Sequence, residues 1–198
     1  MSLTPSTMLA LKTKAPDFSL TDVVSGKKVS LTDFSGRDGV TPPLLVMFIC
    51  RHCPYVQHIK AQLSQLGRDY QTKELGIVAI SSNDAKNYRE DSPANLKEFA
   101  LEIGLIYPLC YDESQCAAKS FTAACTPDFF LFNAARELVY RGQLDDSRPG
   151  NGKPVTGRDL RDAIEAVLTG RPVGLRQKPS RGCNIKWKPG NEPGYFNH

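Results

Sequence analysis

The stretch "LLVMFICRHCPYV", Leu44–Val56, sets the reading of the rest of the chain. Its first six residues are apolar without alternation, the pattern of a strand covered on both faces in the middle of an α/β sheet. Pro54 then marks a helix start. Proline has no N–H and a φ fixed near −65°, so it suits the first helical position and costs about 3 kcal/mol deeper inside. From there Val56, Ile59, Leu63, Leu66 and Tyr70 recur every three or four residues, one apolar stripe on a helix of several turns. Two cysteines sit at this junction. Cys53 falls at the N-cap, where unpaired amides and the helix dipole favour a negative charge. Such surroundings lower a thiol pKa from about 8.5 toward roughly 3.5–7.5. Cys50 ends the strand, outside that field.

Working outward, "APDFSLTDVVSGKKVSLTDFSG" (residues 15–36) alternates around Ser25-Gly26 and predicts a β-hairpin. "LGIVAISSN" (75–83) is a second buried strand. Ser92-Pro93 predicts a capped helix whose core face is Leu96, Phe99, Ala100 and Ile103. Asp112 is expected to cap a short helix running to Phe121. "TPDFFLFN" and "ELVYRGQLD" predict two strands joined at Ala134-Ala135-Arg136. Thr156 and Asp159 have the spacing of a capping box for a last helix, which Gly170 closes. The order hairpin, strand, helix, strand, helix, two strands, helix gives an α/β chain with a mixed sheet between helices.

At 198 residues the chain has material for one domain with a substantial core. With 40 % apolar and 23 % charged residues it has an ordinary globular composition, and nothing approaches the roughly 18 apolar residues of a membrane span. The N-terminal apolar run is too short for a signal peptide, so the expectation is a cytoplasmic protein whose six cysteines are mostly thiols. Residues 171–198 carry six basic residues against Glu192, a tail of +5 against −1 for the rest of the chain's total of +4. The basic tail lacks a nucleic-acid-binding helix or groove pattern, so neither a nucleic-acid nor a membrane partner is expected. One C-x-x-C with His52 and distant Cys183 falls short of the paired spacings of structural zinc sites, so no metal or other cofactor is expected.

The element order, "APDFSLTD", the cysteine motif at a strand end and a Thr-Pro before the next hairpin resemble the thioredoxin fold. More narrowly, they are similar to its peroxiredoxin-like branch, the alkyl hydroperoxide reductase and thiol-specific antioxidant group. "HCPYV", "CTPDFFLF", "RGQLDDSRPGN" and "GCNIKWKPGNEP" resemble a peroxiredoxin-like subfamily within it. The resemblance implies a thioredoxin-like three-layer α/β sandwich over residues 11–170, with an N-terminal β-hairpin extension and an irregular basic Pro/Gly-rich tail over 171–198. It also implies an attacking cysteine five residues after Phe48, which is Cys53. Val56 then stands where thioredoxins have their second cysteine, so the visible pair is displaced. The competing register makes Cys50 the attacker and buries Pro54 deeper in the helix.

The resemblance further implies a cis Thr126-Pro127 beside the active sulfur, although an ordinary X-Pro bond is cis only about 5–6 % of the time. Thr126 and Pro127 would dock an extended substrate by strand addition. Cys50, Cys125 or Cys183 is the candidate resolving thiol; a mobile tail would deliver Cys183, unless Ile185 and Trp187 pin it. Arg51 and His52 flank the sulfur and are candidates to line the substrate site, stabilise a thiolate or relay a proton. Cys110 and Cys116 read as structural, and His58 and "DDSRPGN" (145–151) as surface and turn. The implied activity is thiol-disulfide exchange or, alternatively, reduction of a hydroperoxide, with a protein or small-molecule disulfide or a hydroperoxide as oxidant and an external thiol as reductant. A non-enzymatic redox sensor and a homodimer remain open. Peroxidatic sites of this branch carry Pro-x-x-x-Thr-x-x-Cys; counting back from Cys53 finds Cys50 and Val46 instead, with Arg141 left as a possible source of charge.

Overall fold

The structure, a computed structural model, describes residues 3–36 and 40–196. In chain order the strands are β1 (Leu3–Pro5), β2 (Ser19–Asp22), β3 (Lys28–Ser30), β4 (Leu44–Phe48), β5 (Gly76–Ser81), β6 (Leu109–Tyr111), β7 (Cys125–Thr126), β8 (Asp128–Phe132), β9 (Leu138–Gly142) and β10 (Arg181–Asn184). The helices are α1 (Pro54–Tyr70), α2 (Pro93–Ile103), α3 (Cys116–Ser120) and α4 (Arg158–Leu168).

The main sheet has the order β3-β2-β6-β5-β4-β8-β9. β4, β5 and β6 run parallel, and β8, β9 and the β2–β3 hairpin are antiparallel to their neighbours. β4 lies in the interior of the sheet, and all five of its residues are buried, as its unbroken apolar run requires. Its alternate residues feed two cores. Leu45 and Met47 join α1, α2 and α4 on one face; Leu44, Val46 and Phe48 join α3, the N-terminal segment and Trp187 on the other. The result is the expected three-layer sandwich.

Helix α1 begins at Pro54 and buries the predicted stripe from Val56 to Tyr70. Ser92 caps α2 by accepting from the Asn95 amide. Two caps differ from expectation. α3 is entered through Gln115 in a left-handed conformation, while Asp112 lies beneath, accepting from the Ala118 amide at 3.0 Å and the Ser82 hydroxyl at 2.9 Å. α4 has Gly157 at its N-cap and no capping box. There the buried Asp145 carboxylate takes the Thr156 and Gly157 amides, each at 2.6 Å, and Asp159 turns to the Gln143 amide at 2.7 Å. A carboxylate already desolvated and in place competes better than a threonine hydroxyl. The same "DDSRPGN" segment ties to α1, since Ser147 Oγ lies 2.7 Å from His58 Nε2.

A second sheet of three strands, β1-β10-β7, closes one end of the molecule. The tail is irregular except at β10, and it is not a mobile arm: β10 lies between β1 and β7, and Ile185 and Trp187 sink into the second core. Among the described residues no helix is long and apolar enough to cross a membrane.

Candidate active site

Three elements converge on one sulfur. The β4–α1 junction supplies Cys53, at the N-cap of α1 with Pro54 directly after it. The β7–β8 junction supplies Thr126 and Pro127, joined by the implied cis bond. β10 supplies Cys183, paired in register with Thr126. The backbone placement of Cys53 is the predicted one, but its Sγ makes no bond to the helix amides. The thiol instead donates to the Thr126 carbonyl at 3.1 Å.

What lowers the Cys53 pKa is therefore chiefly neighbouring donors. The Cys183 thiol contributes most and the Cys50 thiol next; burial opposes them, and the Thr126 hydroxyl and the Cys183 backbone add smaller help. The result lies far below the ordinary thiol range. The partners move the other way: Cys183 rises because its proton serves Cys53, and Cys50 rises mainly through burial. Of the three sulfurs Cys53 alone is shifted toward ionisation. Cys50 also meets the Thr126 hydroxyl at 3.3 Å. All six cysteines stand as thiols.

The site is closed. Cys53 has no exposed surface, and Cys50, Cys183 and Thr126 have at most 2 %. A reagent reaches Cys53 only through a local opening.

The loop between the cysteines is fixed by Asp91, a fully buried carboxylate that the sequence did not bring forward. One oxygen accepts from the Arg51 amide at 2.7 Å and the His52 amide at 3.2 Å; the other binds His52 Nδ1 and the Asn83 amide group. His52 consequently has a raised pKa, mainly from this bond to Asp91. Its Nδ1 also lies 4.0 Å from Cys50 Sγ. Because the carboxylate and the sulfur meet the same ring nitrogen, His52 does not relay a proton between them. Cys50, His52 and Asp91 place ligand atoms within 4.8 Å of one another, but both Asp91 oxygens already hold N–H donors and serve as the loop's anchor.

Other candidates fall outside the cluster. The Arg51 guanidinium reaches away to the Asn95 carbonyl and Glu98, each at 3.0 Å, so its role is to hold α2 rather than a thiolate. Cys125 faces the Pro127 carbonyl at 3.7 Å, and burial pushes its pKa up. Side chains alternate along a strand, so β7 turns Cys125 away while it turns Thr126 toward the sulfurs. Arg141 gives its guanidinium and its amide to Gln177 and shares a face with its partner Phe130, opposite the core that holds Cys53. Cys110 is buried, with a pKa pushed up to about 12, and Cys116 is exposed.

A buried, donor-stabilised thiol at a strand-to-helix junction beside an X-Pro turn is the site of a thioredoxin-like thiol protein. Residues 11–141 match the AhpC/TSA family, and the chain belongs to that family. Among solved structures, an uncharacterized conserved protein from Geobacillus kaustophilus is 51 % identical, with a TM-score of 0.91 over 96 % of this chain and 98 % of that one. A hypothetical protein from Sinorhizobium meliloti is 46 % identical, with a TM-score of 0.89 over 93 % and 98 %. A thioredoxin-family thiol:disulfide interchange protein from Chlorobium tepidum shares the fold at 20 % identity, with a TM-score of 0.60 over 80 % and 98 %. No curated protein matches.

Proposed function

We propose that this protein is a thiol-dependent oxidoreductase with Cys53 as nucleophile and Cys183 as resolving thiol. The observation that carries this reading is the shared seat at Thr126: its carbonyl accepts from the Cys53 thiol at 3.1 Å while β10 sets Cys183 in register opposite the same residue, and the Cys183 thiol is the foremost influence lowering the Cys53 pKa. The Cys53 thiolate attacks one sulfur of a disulfide R–S–S–R; a Cys53–S–S–R bond forms and RS⁻ leaves with the electron pair. Cys183 then attacks the Cys53 sulfur of the mixed disulfide, the Cys53–S–R bond breaks, and the Cys183 proton passes to the departing sulfur, so the second thiol leaves as RSH as the Cys53–Cys183 bond forms. Two protein thiols have lost two electrons and one disulfide has become two thiols. An external thiol reductant, as found in the reducing cytoplasm, restores the pair.

The second reading keeps the same sulfurs. Attack on a hydroperoxide O–O bond gives Cys53 sulfenic acid and an alcohol, and Cys183 displaces water to give the same disulfide. Family membership favours it; the missing threonine and proline before Cys53, and the commitment of Arg141 to Gln177, count against efficient peroxide chemistry. The test is single-turnover oxidation by a small disulfide or hydrogen peroxide, followed by intact mass and peptide mapping. The expected product links Cys53 to Cys183. A Cys53→Ser protein that consumes oxidant as fast as the wild type would refute the reading.

A further inference from the structure

We propose that β10 is a tethered substrate strand, which reserves Cys53 for low-molecular-weight oxidants and keeps polypeptide disulfides out. This rests on the reading of Cys53 as nucleophile. An extended polypeptide is recognised by pairing with an open strand edge, and the edge beside Cys53 is β7. Here that edge is filled: Cys183 pairs with Thr126, Asn184 pairs with Cys125, and the Ile185 amide donates to the Ala124 carbonyl at 3.0 Å. Cys183 thus stands where the sulfur of an incoming polypeptide would have to stand, opposite the residue whose carbonyl takes the Cys53 thiol.

The fit is specific to glycine next door. A Cβ on Gly182 would lie 1.9 Å from the Thr126 carbonyl oxygen and 3.2 Å from Pro127 Cδ, so only a residue without a side chain lies flat against this turn. The strand is also held from behind. β1 pairs along its other edge, the Ser6 amide donates to the Ser180 carbonyl at 2.9 Å, and the Ser180 hydroxyl donates to the Gly142 carbonyl at 3.0 Å. Clearing β7 for a polypeptide means breaking this three-stranded sheet and lifting Ile185 and Trp187 out of the core.

A small oxidant needs much less. Beside the first turn of α1, Tyr55, Arg148 and Arg181 border both an outer hollow of about 380 Å³ and an inner chamber of about 20 Å³ that reaches Pro127. The outer volume suits a small molecule, and the inner one is of the order of a single water. The inner chamber stops at Pro127, next to Thr126, so under the proposal a compact S–S or O–O compound needs only a local side-chain opening there to meet Cys53 while β10 stays paired.

The test measures consumption of the Cys53 thiol by hydroxyethyl disulfide, by hydrogen peroxide and by insulin, in wild type and in full-length Gly182→Val, with hydrogen exchange of the 181–185 amides followed in both. In wild type at least one small oxidant should outrun insulin by on the order of 100-fold, because exchange follows access to the sulfur. The two small reagents separate disulfide from peroxide chemistry. In Gly182→Val the β10 amides should lose protection and the insulin rate should rise at least about tenfold as the edge opens. Equal small-oxidant and insulin rates in wild type would overturn the proposal, as would an unprotected β10 in the variant with no gain on insulin. If the variant does not fold, the wild-type ratio decides alone. Unreactivity of Cys53 toward all three reagents would instead overturn the catalytic reading itself.

Discussion

Cys53 and Cys125 lie on the two sides of the Thr126-Pro127 turn, and neither has any exposed surface. Their proton affinities nevertheless move in opposite directions. Around Cys53 two thiols and a hydroxyl point donors at the sulfur, and ionisation becomes easy. Around Cys125 burial acts almost unopposed, with the Asp128 carboxyl adding to it, and the proton is held. Asp128 itself, with neither oxygen in hydrogen-bonding geometry, has a pKa raised to about 8, mainly by burial. Burial of a titratable group is thus permissive in both directions; the donors around it choose the sign.

The sharpest way to break this contrast is to exchange nucleophile and bystander. Replacing Cys53 with serine should lower single-turnover oxidation by at least about 10³-fold, the order of loss seen when a catalytic nucleophile is removed. Cys125→Ser should leave that rate within about twofold of wild type under the same access argument. Stopped-flow thiol consumption measures both, and a comparable loss in the Cys125 variant would erase the distinction.

A second test acts on the other face of the turn. Native Asp128 keeps its proton up to about pH 8, whereas the unfolded carboxyl loses it near 3.8. Between those values the native state binds the extra proton, so stability falls as pH rises, by up to about 1.4 kcal/mol per pH unit. Asp128→Asn does not titrate. Its stability relative to wild type should rise by about 1–3 kcal/mol between about pH 5 and pH 7, read from urea unfolding. Parallel pH curves for the two proteins would show that Asp128 is not held neutral.

The His52–Asp91 pair gives a dependence of the same sign, in a window that opens at higher pH. A histidine whose folded pKa is raised contributes stability in full below its unfolded value of about 6.5, and loses it as pH rises through the folded value. Wild type should lose stability across that window, and His52→Gln should not. The smallest effect is expected from Cys125→Ala, which removes one buried sulfur and should cost about 1–2 kcal/mol of stability without changing oxidant consumption.

Much of the layout was legible because local chemistry forced it. A six-residue unbroken apolar run, too short for a buried helix and ending just before a helix start, reads as an interior strand, and the proline directly after Cys53 marks that start. Ser92-Pro93 announces α2 for the same reason. What escaped depends on distant partners. Thr156 and Asp159 have the spacing of a cap, yet Asp145, eleven residues before Thr156, takes the amides. Asp91 carries no motif; only the fold brings it under Arg51 and His52. "RGCN" shows no alternation, so the tail strand, and the placing of Cys183 rather than Cys125 on the Cys53 side of the turn, required the register with β7. The sequence placed Cys53 at the helix end and credited the helix field, whereas the donors that matter most are two other cysteines.

The most direct test of that last point is the pH dependence of Cys53 alkylation, followed by peptide mass in wild type, Cys183→Ala and Cys50→Ala. Wild type should show a Cys53 midpoint well below the ordinary thiol range. A hydrogen bond to a charged group is worth about 1.5–3 kcal/mol, so loss of the Cys183 thiol should raise the midpoint by about 1–2 pH units, with a smaller rise on loss of Cys50. A wild-type midpoint near that of an ordinary thiol, or one that ignores both substitutions, would contradict the three-sulfur site.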